Sequence, residues 1–359
     1  MPCFYPKHAI WTRGVKKFPD VQPNIDYDPR IVGPDFYQDL DRKSELVNSV
    51  QIVPEYDRLF RAGLDVPDYD DRFTGENLNT KFACGSCKYC LMERARCWSV
   101  RCSDEIQMHS SSSFITLTFN DEWLKREAPD SSLSIDHYQR FIKRIRDDDR
   151  RFRRSKGLPP REIRYFVCGE YMKSWRPHYH LLLFNFDHWK LDYLKTVNGN
   201  HYYTSPYLSK VWKYGFHIIG EANYATAGYI ARYCLKKVNG PQAEAHYKRV
   251  NCFGDEVQLK PEFLKMSTKP GIGAEWFNRY WRDIYPHDYK VVKGRKTRPP
   301  RYYDKLLQRF QPEMYEFVKD KRFVTVQEHD EKSHADLMYE MRAMDYNVNK
   351  LVREYEALH

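Results

Sequence analysis

Two histidines flank a single residue at His178-Tyr179-His180. In an extended strand, residues two apart project to the same face, so both imidazoles could address one divalent cation. With 13 His in 359 residues, chance supplies roughly half such a motif per chain, and two polar residues on a strand face are the plainer reading. Glu170 adds weight. It ends the segment IRYFVCGE (163–170), and only Tyr171 to Pro177 separate it from HYHLLLFNF (178–186). A hairpin there would return the carboxylate to the histidines. Two neutral imidazoles and a carboxylate make an open site for Mg2+ or Mn2+, which can act as a Lewis acid on a phosphate oxygen. Taken alone, Glu170 is equally well a solvated residue at a turn.

A second constellation is GYIARYCLKK. The chain has 28 Tyr and three YxxxY pairs, against roughly two expected by chance. Tyr203/Tyr207 and Tyr285/Tyr289 enclose Pro206 and Pro286, and proline removes a helix hydrogen bond. Only Tyr229/Tyr233 can lie on a continuous helix, with Lys236 on the same face. Ala227, Ile230, Ala231, Cys234 and Val238 would then pack on a sheet, and the helix would present two phenols flanked by Arg232, Lys236 and Lys237. A phenol with an ordinary pKa near 10 is a weak nucleophile until cations or a metal stabilise phenolate. An amphipathic helix with exposed Tyr and Lys is the bland reading.

The third cluster is CGSCKYC, which places Cys84, Cys87 and Cys90 in overlapping CxxC units. Such turns aim thiolates at one ion; zinc fits, and an iron–sulfur centre is the other reading. A fourth ligand is required, and Cys3, Cys97, Cys102 and His8 are the candidates. Nine Cys, an odd number, with no apolar h-region at the start, argue against a secreted disulfide framework.

These groups need a frame. FITLTF (114–119), IRYFVCGE, HYHLLLFNF and GFHIIGE (215–221) read as strands. Residues 91–109, a segment capped by Ser134 and residues 224–238 read as helices. Residues 1–80, rich in Pro, Asp and Tyr, read as irregular, and about 326–357 reads as a charged C-terminal helix. The order strand, helix, strand, strand, strand, helix predicts an α+β fold with a mainly antiparallel sheet. Boundaries are expected near 110 and 240, giving an N-terminal Cys-containing region (1–110), a central catalytic domain (111–240) and a C-terminal basic and helical extension (241–359).

Composition narrows the partner. Lys plus Arg exceeds Asp plus Glu by ten (59 against 49), and 16% of residues are aromatic. Cations that track phosphates, with rings that stack on bases, suit single-stranded nucleic acid. No run approaches the ~18 apolar residues of a membrane span. No GxxxxGK[ST] phosphate loop is present either, since GRKT at 294–297 lacks the loop before it, so ATP-driven unwinding would fall to another protein.

FITLTF, Glu170 with the HxH hairpin, and helical YxxxY with Lys, in that order, resemble the three motifs of the HUH endonucleases. More closely, the chain is similar to the replication-initiation proteins of the microviruses, gokushovirus-like phages. The similarity runs from MPC through CGSCKYC-x6-CW, FITLTFND, GEYMKSWRPHYHLLLF, WKYGFHIIGEA, GYIARYCLKK and MSTKPGIG to PPRYYDKLL. The resemblance implies an HUH core with an RRM/ferredoxin-like palm. It implies a rolling-circle nickase acting on origin single-stranded DNA in the cytoplasm of an infected bacterium, with the host's helicase and polymerase as partners. His178, His180 and Glu170 would hold the catalytic cation, Tyr229 and Tyr233 would be the nucleophiles, and Arg232 and Lys236 would neutralise charge. It also favours Cys3 as the fourth zinc ligand. Alternatives are an HUH transposase or relaxase, or a non-catalytic zinc-containing single-stranded-DNA-binding protein. A two-histidine phosphoesterase is disfavoured, because it needs two separate HxT or HxS motifs.

Overall fold

The computed structural model describes residues 7–15, 46–52, 79–83, 85, 87–172, 174–187, 190–232, 237–238, 242–251, 254–328 and 334–349. The chain divides into two compact units, Met1–Leu91 and Met92–His359. The first holds an antiparallel three-stranded sheet in which β1 (Lys7–Val15) lies between β2 (Leu46–Ile52) and β3 (Asn79–Phe82). Irregular structure was the expectation for 1–80. The ladder from Ala9–Ile52 to Val15–Leu46 is a long-range pairing that local composition does not announce.

Helix α1 (Lys88–Gln107) is followed by β4 (Ser112–Phe119), α2 (Asp121–Glu127), α3 (Ile135–Ser155), β5 (Arg164–Tyr171), β6 (Pro177–Phe184), β7 (Asp192–Val197), β8 (Asn200–Thr204), α4 (Pro206–Val211), β9 (Gly215–Glu221) and α5 (Tyr224–Arg232). Then come α6 (Ala243–Tyr247), the pair β10 (Lys248–Val250) and β11 (Glu256–Gln258), β12 (Phe263–Met266) and α7 (Ala274–Tyr280). The pair β13 (Lys290–Val292) and β14 (Arg295–Thr297) precedes α8 (Arg301–Phe310), α9 (Pro312–Glu328) and α10 (His334–Asn349). Within the expected helix at about 326–357, residues 334–349 form α10 and 326–328 close α9; 329–333 and 350–357 lie outside the described residues.

Seven strands form one antiparallel sheet in the order β12-β5-β6-β4-β9-β8-β7. Alternation assigns each strand residue to a face. Ile115, Leu117, Val167, Leu181 and Leu183 point to one side and pack with Phe141, Ile142 and Ile145 of α3. Ser134 caps α3, its hydroxyl accepting from the Asp136 N–H at 3.3 Å, as its sequence position predicts. Phe114, Phe166, Leu182 and Phe184 point to the other side, beneath Ala95 and Cys102 of α1 and Ala227, Ile230 and Ala231 of α5. Because both faces are covered, all of β6 is buried. The β7–β8 hairpin, which the sequence reading passed over, turns at Asn198 and Gly199, both with positive φ (51° and 77°). That pair suits a two-residue turn whose twist matches the strands.

A buried ion pair fixes α1 to the sheet: Arg164 Nε on β5 donates to Glu105 Oε1 at 2.6 Å. Burial alone would raise the Glu105 pKa; hydrogen bonds with His109 and the Gly273 N–H, and the Arg164 charge, hold it below the usual value. Gly215 opens β9 with φ 156°, and a Cβ there would stand 2.4 Å from both Asn120 N and Thr118 O. Gly215→Ala is expected to lower stability by about 2–4 kcal/mol through overpacking and strain, read as a drop in the denaturant midpoint. An unchanged midpoint would mean that the β4–β9 contact relaxes freely.

Candidate active site

The hairpin places Glu170 directly opposite His178, and Cys168 opposite His180. On the other side of β6, Thr118 faces His178 and Thr116 faces His180. Cross-strand partners share a face, so Glu170, His178, His180, Thr116 and Thr118 all lie on the side covered by α5. Glu170, His178 and His180 are each no more than 2% exposed.

The imidazole orientations follow from their partners. His178 Nδ1 lies 2.9 Å from the Arg176 carbonyl oxygen. A carbonyl only accepts, so Nδ1 carries the proton, and in the neutral ring Nε2 holds the lone pair. His180 Nδ1 meets the Thr116 hydroxyl at 2.9 Å, and its Nε2 meets Glu170 Oε1 at 2.6 Å. The ring is therefore held at both nitrogens. Phe114 stacks parallel to it, 4° between planes, with centroids 5.9 Å apart.

Tyr229 approaches the same imidazole. Its ring stands edge-on to His180 at 85°, with centroids 5.3 Å apart, and edge-on to Phe114 at 6.1 Å. The expected exposed phenol is corrected here: Tyr229 is 4% exposed, like the small residues beside it. The reason is that the phenol side of α5 faces the sheet, where the ring lies against His180 and Phe114. Gly228 comes so close to α1 that an added Cβ would lie 2.9 Å from Ser99 Oγ. The expected small-residue face is buried as well, through Ala227, Ile230 and Ala231. Arg232 ends α5 half-buried and reaches back toward Gly228. Tyr233 and Lys236 lie outside the described residues, as do Cys3 and Cys84. Cys87 immediately precedes α1 and Cys90 sits in its first turn, both half-buried.

The donor set of two imidazoles and a carboxylate has the chemistry that a divalent cation with open positions takes. Among the described residues no three His, Cys, Asp or Glu already surround a common point, and Glu170 Oε1 lies 2.6 Å from His180 Nε2. That close contact sits at the atom that would ligate. The sequence reading missed Thr116, although the alternation in TLT, matched to that in HYH, puts it on the histidines' face.

Residues 112–238 match the family model described as replication-associated protein ORF2/G2P. The chain is 34% identical over 258 residues to the replication-associated protein ORF2 of Spiroplasma virus 4, covering 68% of this chain and 74% of that one. It is 30% identical over 264 residues to the replication-associated protein VP4 of Bdellovibrio phage phiMH2K, covering 71% and 76%. Identity to the replication-associated protein ORF4 of Chlamydia phage 1 is 27% over 256 residues, covering 70% and 59%. No solved structure matches the chain.

Proposed function

The chain belongs to the phage replication-associated proteins, and on that premise we propose that it initiates rolling-circle replication as an HUH-type nickase and ligase of single-stranded origin DNA. The observation that carries this reading is the Tyr229 ring, 5.3 Å from His180 on the sheet face that also bears His178 and Glu170. The phenol oxygen of Tyr229 or Tyr233 attacks phosphorus, and the P–O3′ bond breaks. The departing 3′ oxygen takes up the proton the phenol loses, and the 5′ phosphate stays esterified to tyrosine. The phosphodiester energy is kept in that linkage, so no ATP is consumed. The free 3′-OH primes synthesis; after one round the other tyrosine cuts the regenerated junction, and the new 3′-OH closes the first strand. Arg232 and Lys236 offset phosphate charge. A Mg2+ or Mn2+ held by His178, His180 and Glu170 would supply Lewis-acid polarisation of the scissile phosphate.

Mass spectrometry after incubation with origin-containing single-stranded DNA and Mn2+ tests the reading. The expected product is the chain plus an oligonucleotide, joined at Tyr229 or Tyr233. Binding with no covalent product would instead support a non-catalytic single-stranded-DNA-binding protein, the reading that the burial of Tyr229 favours. Thr116 enters as a positioning residue. Thr116→Val removes the hydroxyl at His180 Nδ1 and is expected to slow adduct formation about 10- to 100-fold, whereas Thr116→Ser retains the rate. Equal rates for all three proteins would remove Thr116 from the site.

We assign the chemistry to residues 111–240, flanked by 1–110 and 241–359, in the cytoplasm of an infected bacterium with host helicase and polymerase. Cys84, Cys87 and Cys90, with Cys3, are read as one structural zinc site. Elemental analysis is expected to give about one zinc per chain, lost in Cys87→Ser/Cys90→Ser with a lower melting midpoint. Iron with acid-labile sulfide would replace that reading.

A further inference from the structure

The catalytic row continues across the sheet. Glu170 faces His178, His178 faces Thr118, and Thr118 faces Phe216 on β9. Four strands thus carry one line of side chains on one face. Phe216 lies two strand spacings from His178, roughly 10 Å at 4.7–4.9 Å per strand. Exposure rises along this face toward that corner. On β4, Phe114 and Thr116 are buried and Thr118 is half-buried; on β9, Gly220 is buried, Ile218 half-buried and Phe216 66% exposed. The covered face therefore opens to solvent beside His178, and the side chain at the opening is a bare aromatic ring.

One cation stands at this end of the row. Arg176, whose carbonyl orients His178, donates to the Phe119 carbonyl oxygen at 2.8 Å and pairs with Asp121. Lys213, exposed and three residues before Phe216, is turned the other way, its ammonium 5.1 Å from the Trp123 ring, which packs with the core on the opposite face of the sheet. The other end of β4 and β9 has a different character. A pocket of about 460 Å³ there includes Asp187 and Glu221 in its wall, and carboxylates repel a phosphodiester chain.

We propose that the Phe216 ring is the platform on which a base adjoining the scissile phosphate stacks as single-stranded DNA enters the site over the Thr118–Phe216 corner. A flat, exposed ring in the same row as the metal-type ligands, two strands from His178, can take any base, since every base offers a π face. That ring is exposed, while Phe114, Thr116, Glu170, His178 and His180 on the same face are buried. This inference rests on the nickase reading for the identity of the neighbouring phosphate, but the contact itself is a binding event that needs no cleavage.

The test uses the full chain in a Tyr229→Phe/Tyr233→Phe background, so that binding is read without cleavage. The probes are oligo(dT) for affinity and oligo(dT) bearing 5-iodouracil for photocrosslinking. Phe216→Ala is expected to weaken affinity roughly 5- to 150-fold, the range for loss of one base stack. Phe216→Trp should restore it, and the slope of log affinity against log salt should stay constant, because no phosphate contact is lost. The crosslink should map to the peptide containing Phe216. Unchanged affinity in Phe216→Ala, full affinity in Phe216→Leu, or a crosslink confined to other peptides would each overturn the platform. If the unmodified chain forms no adduct while Phe216→Ala still weakens binding, the nickase reading fails and the stacking contact stands. If adducts form and Phe216→Ala binds normally, the platform fails alone.

Discussion

The Tyr229→Phe/Tyr233→Phe double variant is expected to form no covalent adduct with origin single-stranded DNA, while each single variant is expected to form one still. On a helix, residues four apart rise about 6 Å and keep to one face. Two phenols so placed can reach one phosphate in turn, though not together in the same in-line geometry. Each single variant is therefore expected to cut once but not to complete repeated cycles of cutting and closure, because the second nucleophile is missing. Phenylalanine keeps the ring, so the edge-on contacts of residue 229 with His180 and Phe114 persist and lost chemistry is not confused with lost packing. Burial makes the Tyr229 single variant the more informative one. A phenol 4% exposed must be uncovered before it can attack, so adduct formation by Tyr229→Phe is expected to be the faster of the two. If one single variant is inert and the other sustains many cycles, only one tyrosine reacts, and the alternating scheme is wrong.

His178→Ala/His180→Ala is the second decisive variant, in which adduct formation is expected to fall below detection while single-stranded DNA is still bound. The single substitutions should separate two roles. His180 carries the contact with Glu170 at 2.6 Å. His180→Ala therefore takes a partner from a carboxylate that is 2% exposed, which costs about 1–3 kcal/mol of stability. His178→Ala leaves that contact in place and should melt closer to the parent protein. Glu170→Ala is expected to weaken Mn2+ affinity about 10- to 100-fold, measured by calorimetry. Undiminished adduct formation by the histidine double variant would end the assignment of this site.

The pairing of Glu170 with His178 was legible in the chain itself. Alternation along a strand is a local rule, and the short connection between IRYFVCGE and HYHLLLFNF leaves a hairpin little choice of register. The Ser134 cap of α3 and the strand GFHIIGE were legible for the same reason, each being signalled by residues adjacent in sequence. What sequence could not supply came from pairings between distant segments. The insertion of β4 between β6 and β9 put Thr116 against His180 and aligned Thr118 with Phe216. Nothing local distinguishes Phe216, at a strand start, from a core phenylalanine. Helical spacing showed correctly that Tyr229 and Ala227 lie on α5, but not that the phenol would turn to the sheet and be buried against His180 and Phe114. The periodicity of one helix records which of its sides differ in polarity; whether a polar side meets solvent or a second layer is set by the packing of other elements, through contacts such as Gly228 against Ser99.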